Sequence, residues 1–342
     1  MPQKKSPRSA SITIYILVFS FLAVIIGAWS TYWYVGRGVI SDLLRNTEEV
    51  VTAEGGELTC GDRSIGGYPY RFELSCSPLQ MEDGKSSVDV EDFQIISMAY
   101  NPRHLIVEAG TPTKLSTTYN GLAYNGTWAD LRGSSRLKSE GGLSRMDLVV
   151  QQPQLQIGST ENSLRFDAQL LEAHVKQEND SAAGVDIALL VDQLASSSFS
   201  TQLPLDIEGI VQVPQGEGIL KGKVKRVQDL LKDGKIELNL THLKVSSGEI
   251  SLETQGKLTV DSKGRLSGTI PLKIVGVHEL ARLVEPLFPV GSKVPQSLQN
   301  TAMSIGANTK ENGKPTLKLP ITFEKGRARI AFINLGKVPP LF

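Results

Sequence analysis

The chain lacks a net charge of either sign, since 36 Lys and Arg residues balance 36 Asp and Glu residues over 342 positions. A protein that gathers nucleic acid usually carries a basic patch and a positive long-range field. The composition therefore argues against a nucleic-acid partner. Low-complexity linkers are also missing, and the 32 glycines and 40% hydrophobic content are typical of a folded, β-rich body.

Sequence motifs for catalysis are missing too. The chain has no Walker sequence, zinc-protease helix motif, nucleophile elbow or calcium loop. Its four histidines are scattered along the chain: His104, His174, His242 and His278. Neither a metal site nor a general base is indicated by such spacing. We therefore predict a protein that is not an enzyme and holds no metal or cofactor, although a site assembled from distant residues stays open.

Cysteine is scarce, and the two that occur bracket a predicted hairpin. Strand-like sequence leads into Cys60 and, on the return, into Cys76. In an oxidising compartment, a disulfide closing a loop of this size would restrict the unfolded chain by about 3 kcal/mol. We predict a Cys60–Cys76 disulfide. The alternative is a pair of buried, reduced thiols in a cytosolic domain.

Long hydrophobic runs are absent except at the start, where no charge separates Arg8 from Arg37. Residues 12–35 would reach about 36 Å as a helix, which is enough to cross a bilayer core of about 30 Å. The far end carries rings that prefer a membrane interface, namely Trp29, Tyr32, Trp33 and Tyr34. Because no good cleavage site follows, we predict an uncleaved signal anchor rather than a removed signal peptide.

The basic residues before the run set the predicted orientation. Lys4, Lys5 and Arg8 favour a cytoplasmic tail at residues 1–11, whereas Arg37 and Arg45 follow the run. Residues 36–342 would then form an extracytoplasmic β-rich domain. A polar, glycine-bearing segment at residues 178–184 is a candidate subdivision of that domain.

Beyond the anchor, Ser41 is a candidate cap for a second, short helix that ends near Ala53, before Gly55 and Gly56. Residue alternation then predicts antiparallel strands, with two clear hairpins at residues 258–274 and 317–332. We predict weaker strands at residues 93–100, 105–108, 143–150, 155–157, 185–190 and 205–211. Candidate helices lie at residues 224–232, 277–285 and 296–305.

The predicted fold is mainly β, with a few helices and an N-terminal transmembrane helix. A sheet with one apolar face must hide it by closing on itself, under helices, or against a bound molecule. If the sheet curls into an open barrel, that face becomes a groove suited to acyl chains. The candidate lining residues are Leu258, Val260, Ile270, Leu272, Leu319, Ile321, Ile330 and Phe332. The alternative is that these residues form a closed, dry core.

Two short segments carry a family resemblance. The first is Gly67, Tyr68, Pro69, Tyr70, Arg71 and Phe72, leading to Cys76; the second is the terminal stretch with Gly336 and Pro339. With them the chain resembles the bacterial domain-of-unknown-function family 2125 (DUF2125) and, more remotely, the AsmA-like envelope proteins. The resemblance implies an envelope location and a long curved β-sheet with an apolar inner face. It transfers no catalytic residue, and by its residue types alone the first segment favours scaffolding over binding.

The functional hypothesis combines the anchor, the sheet and the resemblance. We expect a single-pass protein of the bacterial inner membrane, with its C-terminal body in the periplasm, that binds or helps transport lipid-like hydrophobic molecules in an apolar β-sheet groove. The alternative hypothesis is an envelope scaffold or assembly factor that binds another envelope protein. Its expected partners are therefore the membrane, lipids, and, in the alternative, an envelope protein.

Overall fold

The computed structural model describes residues 8–342 apart from 112, 120, 160–161, 179–182, 197–203, 225, 286–287, 289–290, 307–309, 312–313 and 331–332, and it describes no side chains at 8–11, 159, 162, 305–306 and 310–311. The described helices are α1 (Arg8–Ala53), α2 (Glu217–Leu220), α3 (Leu280–Val284) and α4 (Val294–Gly306). Short 3-10 turns lie at Val227–Leu230 and, directly before α3, at Val277–Glu279.

Helix α1 is one continuous element of 46 residues. It contains a segment long and apolar enough to cross a membrane, with a mean hydropathy of 2.4. The expectation of a separate helix starting at Ser41 is wrong, because nothing between the apolar segment and Ala53 interrupts the helix. Gly36 lies in its middle, where a Cβ would come 2.6 Å from Cζ of Phe72, so the glycine permits close packing on the body. The end at Ala53 is confirmed, with Gly55 in the left-handed region at φ +86°.

The rest of the chain is mainly β, as predicted, and all paired strands are antiparallel. In chain order they are β1 (Glu57–Cys60), β2 (Ser64–Gly66), β3 (Arg71–Cys76), β4 (Leu79–Glu82), β5 (Ser86–Val90), β6 (Phe93–Met98), β7 (Asn101–Ala109), β8 (Thr113–Tyr119), β9 (Leu122–Thr127), β10 (Asp130–Leu137), β11 (Leu143–Gln151), β12 (Gln154–Ser159), β13 (Asn162–Asp167), β14 (Leu170–Gln177), β15 (Val185–Ser196), β16 (Leu205–Val213), β17 (Lys235–Ser247), β18 (Ile250–Asp261), β19 (Leu266–Val275), β20 (Lys310–Glu311), β21 (Lys314–Glu324), β22 (Arg327–Ile330) and β23 (Ile333–Lys337).

The strands pair in two series. The long sheet runs in the order β2-β3-β6-β7-β10-β11-β14-β15-β16-β17-β18-β19-β21-β22-β23. The short sheet runs β1-β4-β5-β8-β9-β12-β13. In the first half of the chain, successive hairpins therefore alternate between the two sheets. The end of β13 also pairs with β15, so the sheets join there, and the assembly stays open instead of closing into a barrel.

The predicted strands and the hairpins at residues 258–274 and 317–332 are confirmed over their described residues, and so are the two later helices, which correspond to the 3-10 turn with α3 and to α4. The hairpin predicted between the strands at Cys60 and Cys76 is wrong. Because Ser64–Gly66 forms the hairpin with β3 instead, β1 pairs with β4 and lies in the other sheet.

The helix expected at residues 224–232 is wrong. Among the described residues of that stretch, the only helical element is the 3-10 turn Val227–Leu230, and extended backbone follows at Leu231. The candidate subdivision at residues 178–184 lies between β14 and β15, which pair directly with each other within the long sheet. Residues 179–182 of that segment lie outside the described residues.

The turn between β18 and β19 is held by the carboxylate of Asp261. It accepts hydrogen bonds from the backbone N–H groups of Lys263 and Arg265 and from the Arg265 guanidinium, whose Nε lies 2.8 Å from Oδ2. The side-chain hydrogen bond from Arg265 is the main cause that lowers the pKa of Asp261 to about 2. Beside this turn the C-terminal tail is tied down, since the N–H of Leu341 donates to the carbonyl of Gly264 at 2.9 Å.

We expect this turn to make stability depend on acid. A lowered folded-state pKa means that the carboxylate stabilises the fold above its unfolded pKa, 3.8, and that this contribution is lost as the pH falls through about 2. Thermal unfolding of wild type and Asp261→Asn should differ above pH 4, and the difference should shrink toward pH 2. Lys263→Ala, which keeps the backbone donor, should show no such convergence. A difference independent of pH would refute the role of the carboxylate.

Candidate hydrophobe-binding site

One face of the long sheet is apolar along most of its length. Residues directly opposite each other on paired antiparallel strands share a face. The register aligns an unbroken apolar row from β3 to β21: Cys76, Phe93, Ala109, Leu131, Val150, Leu171, Val191, Ile207, Val245, Leu252, Ile274 and Leu317. We call these residues the apolar row. They show that the alternation of apolar and polar residues within single strands is in register across the sheet from β3 to β21.

The opposite face carries charge at the neighbouring positions. One row across the later strands reads Glu208, Lys244, Glu253, Lys273 and Lys318. Within it, Nζ of Lys273 lies 3.2 Å from a carboxylate oxygen of Glu253. The long sheet therefore has one wet and one dry face, which is the arrangement that the sequence predicts.

The disulfide is formed, as predicted, between Cys60 on β1 and Cys76 on β3, with Cα atoms 4.9 Å apart. Since β1 belongs to the short sheet and β3 to the long sheet, the bond ties the two sheets together at the first position of the apolar row. Cys76 is only 1% exposed. The apolar face is thus covered at the end of the molecule that lies next to α1.

At the other end of the apolar row, the structure contains a cavity of about 330 Å³. Strands β17–β19 and β21–β23 provide one wall, and α3 and α4 provide the other. Among the described residues that line it, all side chains are apolar except those of Thr254 and Thr301. Cavities of this size and character are typical of small-molecule sites, and a dry cavity of about 150 Å³ already accepts benzene.

The two helices cover the sheet because each presents an apolar stripe. Leu280 and Val284 of α3 and Leu298 and Ala302 of α4 line the cavity. The helices are joined by a hydrogen bond of 2.9 Å from the backbone N–H of Ala281 to Oε1 of Gln299. We call α3 and α4 together the roof of the cavity. The hydrogen bond holds the two helices together, and because donor and acceptor satisfy each other, neither faces the cavity unpaired.

Six of the eight residues predicted to line a groove do line the cavity: Leu258, Ile270, Leu272, Leu319, Ile321 and Ile330. Val260 lies elsewhere, in a separate core cluster with Val213 and Ile236. Val260 lies two residues closer than Leu258 to the turn between β18 and β19. Its cluster packs against the C-terminal Phe342 and not against the described side chains of helices α3 and α4. Phe332 lies outside the described residues.

Other lining residues were missed by the sequence analysis. Leu243, Val245 and Leu252 line the cavity across a β-bulge between β17 and β18, where the register shifts. A bulge interrupts strict alternation, so periodicity alone gives no sign of these positions. The shared face of Leu280, Leu283 and Val284 was visible in the sequence and was the available signal for the roof.

The first family-like segment, residues 67–72, lies beside α1, at the end of the long sheet opposite the cavity. Gly67 is at φ +93°, and its Cβ would approach the backbone carbonyl of Arg71 to 2.6 Å, so only glycine fits this turn. Phe72 stacks on Trp33 of α1, with ring centroids 5.8 Å apart. Gly336 lies in β23 and Pro339 in the tail that follows it. The first segment does not line the cavity, whereas Leu335, directly before Gly336, does.

Among the described residues, no cluster of three or more His, Cys, Asp or Glu side chains could hold a metal ion. His174 does lie between two carboxylates on the sheet, with Nδ1 2.8 Å from Asp147 and Nε2 3.3 Å from Glu172. Partial burial raises the pKa of Asp147, but hydrogen bonds from His174 and Arg145 outweigh it and leave the pKa below its usual value. The Arg145–Asp147 ion pair and the hydrogen bonds of His174 form a polar network on the strand surface.

Comparison with known protein families shows the family of this chain. The model of a family described as an uncharacterized protein conserved in bacteria (DUF2125) matches residues 33–339, which is most of the chain. No curated protein matches the sequence. The remoter likeness to AsmA-like proteins stays a prediction.

Proposed function

Since the chain belongs to the DUF2125 family of conserved bacterial proteins, we propose that it is a membrane-anchored protein that binds lipid-like hydrophobic molecules and helps to transport them. The cavity of about 330 Å³ at the end of the apolar row carries the proposal. Its walls offer almost no hydrogen-bonding groups, so they suit an acyl chain or a similar apolar group and disfavour a polar metabolite.

The energetics favour such a ligand. Removing apolar surface from water is worth about 25 cal/mol per Å², and each buried methylene adds about 0.8 kcal/mol. The cavity walls are already shielded by the roof of α3 and α4, so a chain that enters buries its own surface without exposing the core. The proposal requires no chemical step, and we therefore assign the protein a binding role rather than an enzymatic one.

The proposed location follows from α1 and the disulfide. One apolar helix is suited to a single-pass anchor, and a disulfide forms most readily in an oxidising compartment. Together with Lys4, Lys5 and Arg8 before the span, these features support an inner-membrane protein whose body lies in the periplasm.

The test fills the cavity from α4. Ala302 is buried at the cavity wall, and its neighbour Met303 is exposed on the same helix. We expect Ala302→Phe to raise the Kd for a fluorescent polyene fatty acid by about tenfold or more, because the ring occupies the space that the chain needs. Met303→Phe adds similar bulk outside the cavity and should bind like wild type. Titrations would use the full-length protein in nanodiscs.

Two further measurements make the outcome decisive. Lipid extraction and native mass spectrometry of the wild-type protein should recover a copurifying hydrophobic molecule, which Ala302→Phe should lose. Circular dichroism and a thiol count show whether each variant is folded with its disulfide intact. Equal affinity in all three proteins, or a wild-type cavity that takes up no fatty acid, would reject the proposal and favour the envelope-scaffold hypothesis.

A further inference from the structure

The body contacts α1 through a compact set of aromatic and backbone groups that begins where the aliphatic part of the predicted span ends. Nε1 of Trp29 donates to the carbonyl of Pro69 at 2.9 Å, and the Tyr32 hydroxyl donates to the carbonyl of Ala99 at 2.8 Å. One helical turn after Trp29, Nε1 of Trp33 donates to the carbonyl of Arg71. Two turns of the body, one before β3 and one between β6 and β7, are thereby fixed at the same level of the helix.

These two turns are also bonded to each other. The backbone N–H of Ala99 donates to the carbonyl of Tyr70 at 2.9 Å, and Arg71 pairs with Met98 in the sheet. They carry Tyr70 and Tyr100, each 73% exposed. We call this pair of tyrosines the aromatic foot. Exposed rings on adjacent, hydrogen-bonded turns are unusual for groups that prefer to be at least half buried.

The level of the aromatic foot along α1 is set by helix geometry. Within the predicted span of residues 12–35, the aliphatic part ends at Ile26 and the rings that prefer a membrane interface begin at Trp29, less than one turn later. Because a helix rises about 1.5 Å per residue, the foot lies within about 5 Å of the place where the aliphatic part of the span ends. The far end of the docked region is marked by Glu48 and Arg63, 3.4 Å apart, roughly 28 Å further along the helix.

We propose that the aromatic foot rests in the phospholipid headgroup layer of the membrane that α1 spans, so that the turns before β3 and between β6 and β7 touch the bilayer surface. Tyrosine is enriched at this depth because its ring is apolar and its hydroxyl is polar. Arg103, three residues after Tyr100 along the chain, is exposed, and its charge suits the negative phosphates of that layer. The proposal rests on the membrane anchoring assumed above, and it is independent of what the cavity binds.

The test places a fluorophore at single positions of the full-length protein. Both native cysteines are in a disulfide, so one introduced cysteine is the only free thiol to label. Tyr70→Cys and Tyr100→Cys test the foot. Lys85→Cys is the matched control, because Lys85 lies far from the foot. It is three residues after Glu82, whose carbonyl lies next to Gly56, beyond the far end of α1. Val18→Cys, in the middle of the apolar segment, reports insertion itself.

The labelled proteins are reconstituted in phosphatidylcholine vesicles containing lipids spin-labelled either at the headgroup or deep in the acyl chain. We expect the headgroup label to quench most of the fluorescence at positions 70 and 100 and little at position 85, and the deep label to quench position 18. Quenching at 70 and 100 as weak as at 85, with 18 quenched, overturns the proposed foot alone. Failure at position 18 as well overturns the anchoring on which it rests.

Discussion

Replacing Trp33 with alanine is expected to loosen the edge of the long sheet from α1 and to be the most damaging single change at that contact. The indole is 4% exposed, stacks on Phe72 and donates to the carbonyl of Arg71. Truncating a buried Trp to alanine costs about 3–5 kcal/mol, and it also leaves a backbone carbonyl without its partner. Amide hydrogen exchange in β2 and β3 should accelerate by about two to three orders of magnitude.

The control for this prediction lies on the same helix. Val39 is exposed in α1, away from the body, and Val39→Ala should leave the exchange of β2 and β3 unchanged. A local effect also predicts that β18 and β19, at the other end of the sheet, exchange at the wild-type rate in both variants. If Trp33→Ala leaves β2 and β3 fully protected, the indole is not what holds the body to the helix.

Replacing both cysteines with alanine should destabilise the first hairpins by about 3 kcal/mol, through the loss of a bond that closes a separation of 16 residues. The bond also joins β1 to β3, so its removal allows the short sheet to part from the long sheet at the first position of the apolar row. Limited proteolysis between residues 57 and 82 should accelerate by about two orders of magnitude when cleavage follows local opening.

Reduction offers an independent check on the same bond. Dithiothreitol should sensitise the wild-type protein to protease as the double substitution does, and it should change nothing in the Cys60→Ala, Cys76→Ala variant. Fatty-acid binding in the distant cavity should be the same in all of these samples. Wild-type resistance in the presence of reductant, with both thiols shown to be free, would contradict a stabilising role for the disulfide.

Much of this architecture was predictable from the sequence because it depends on local signals. Alternation predicted the hairpin that carries Ile270 and Leu272, and glycines marked its turn. The end of α1 was predicted from Gly55, whose left-handed backbone stops the helix. The Cys60–Cys76 disulfide was predicted correctly from the spacing of two cysteines at strand ends, although the hairpin predicted to join those strands is wrong.

The remainder depends on contacts between distant residues. Continuity of α1 through Gly36 is favoured by Phe72 and Trp33, which pack the helix against β3, and no neighbour in sequence indicates this. Division of the hairpins between two sheets is equally invisible, since strands of both sheets share the same alternation. The roof was missed as a feature of the site because periodicity shows that α4 has an apolar face without showing what the face covers.

The pairing pattern has a consequence for how the chain acquires its structure. Most strands of the long sheet pair with the next strand in the chain or with one that follows after a single intervening hairpin. One of the longer sequence separations between paired residues is that between Gly268 and Phe323. Each new hairpin can therefore add to an edge that already exists, as in repeat proteins, without waiting for a remote partner. The sheet can grow outward from α1 during synthesis. The cavity is completed after the sheet has reached β19, because α4 and β21–β23 follow the other wall of the cavity in the chain.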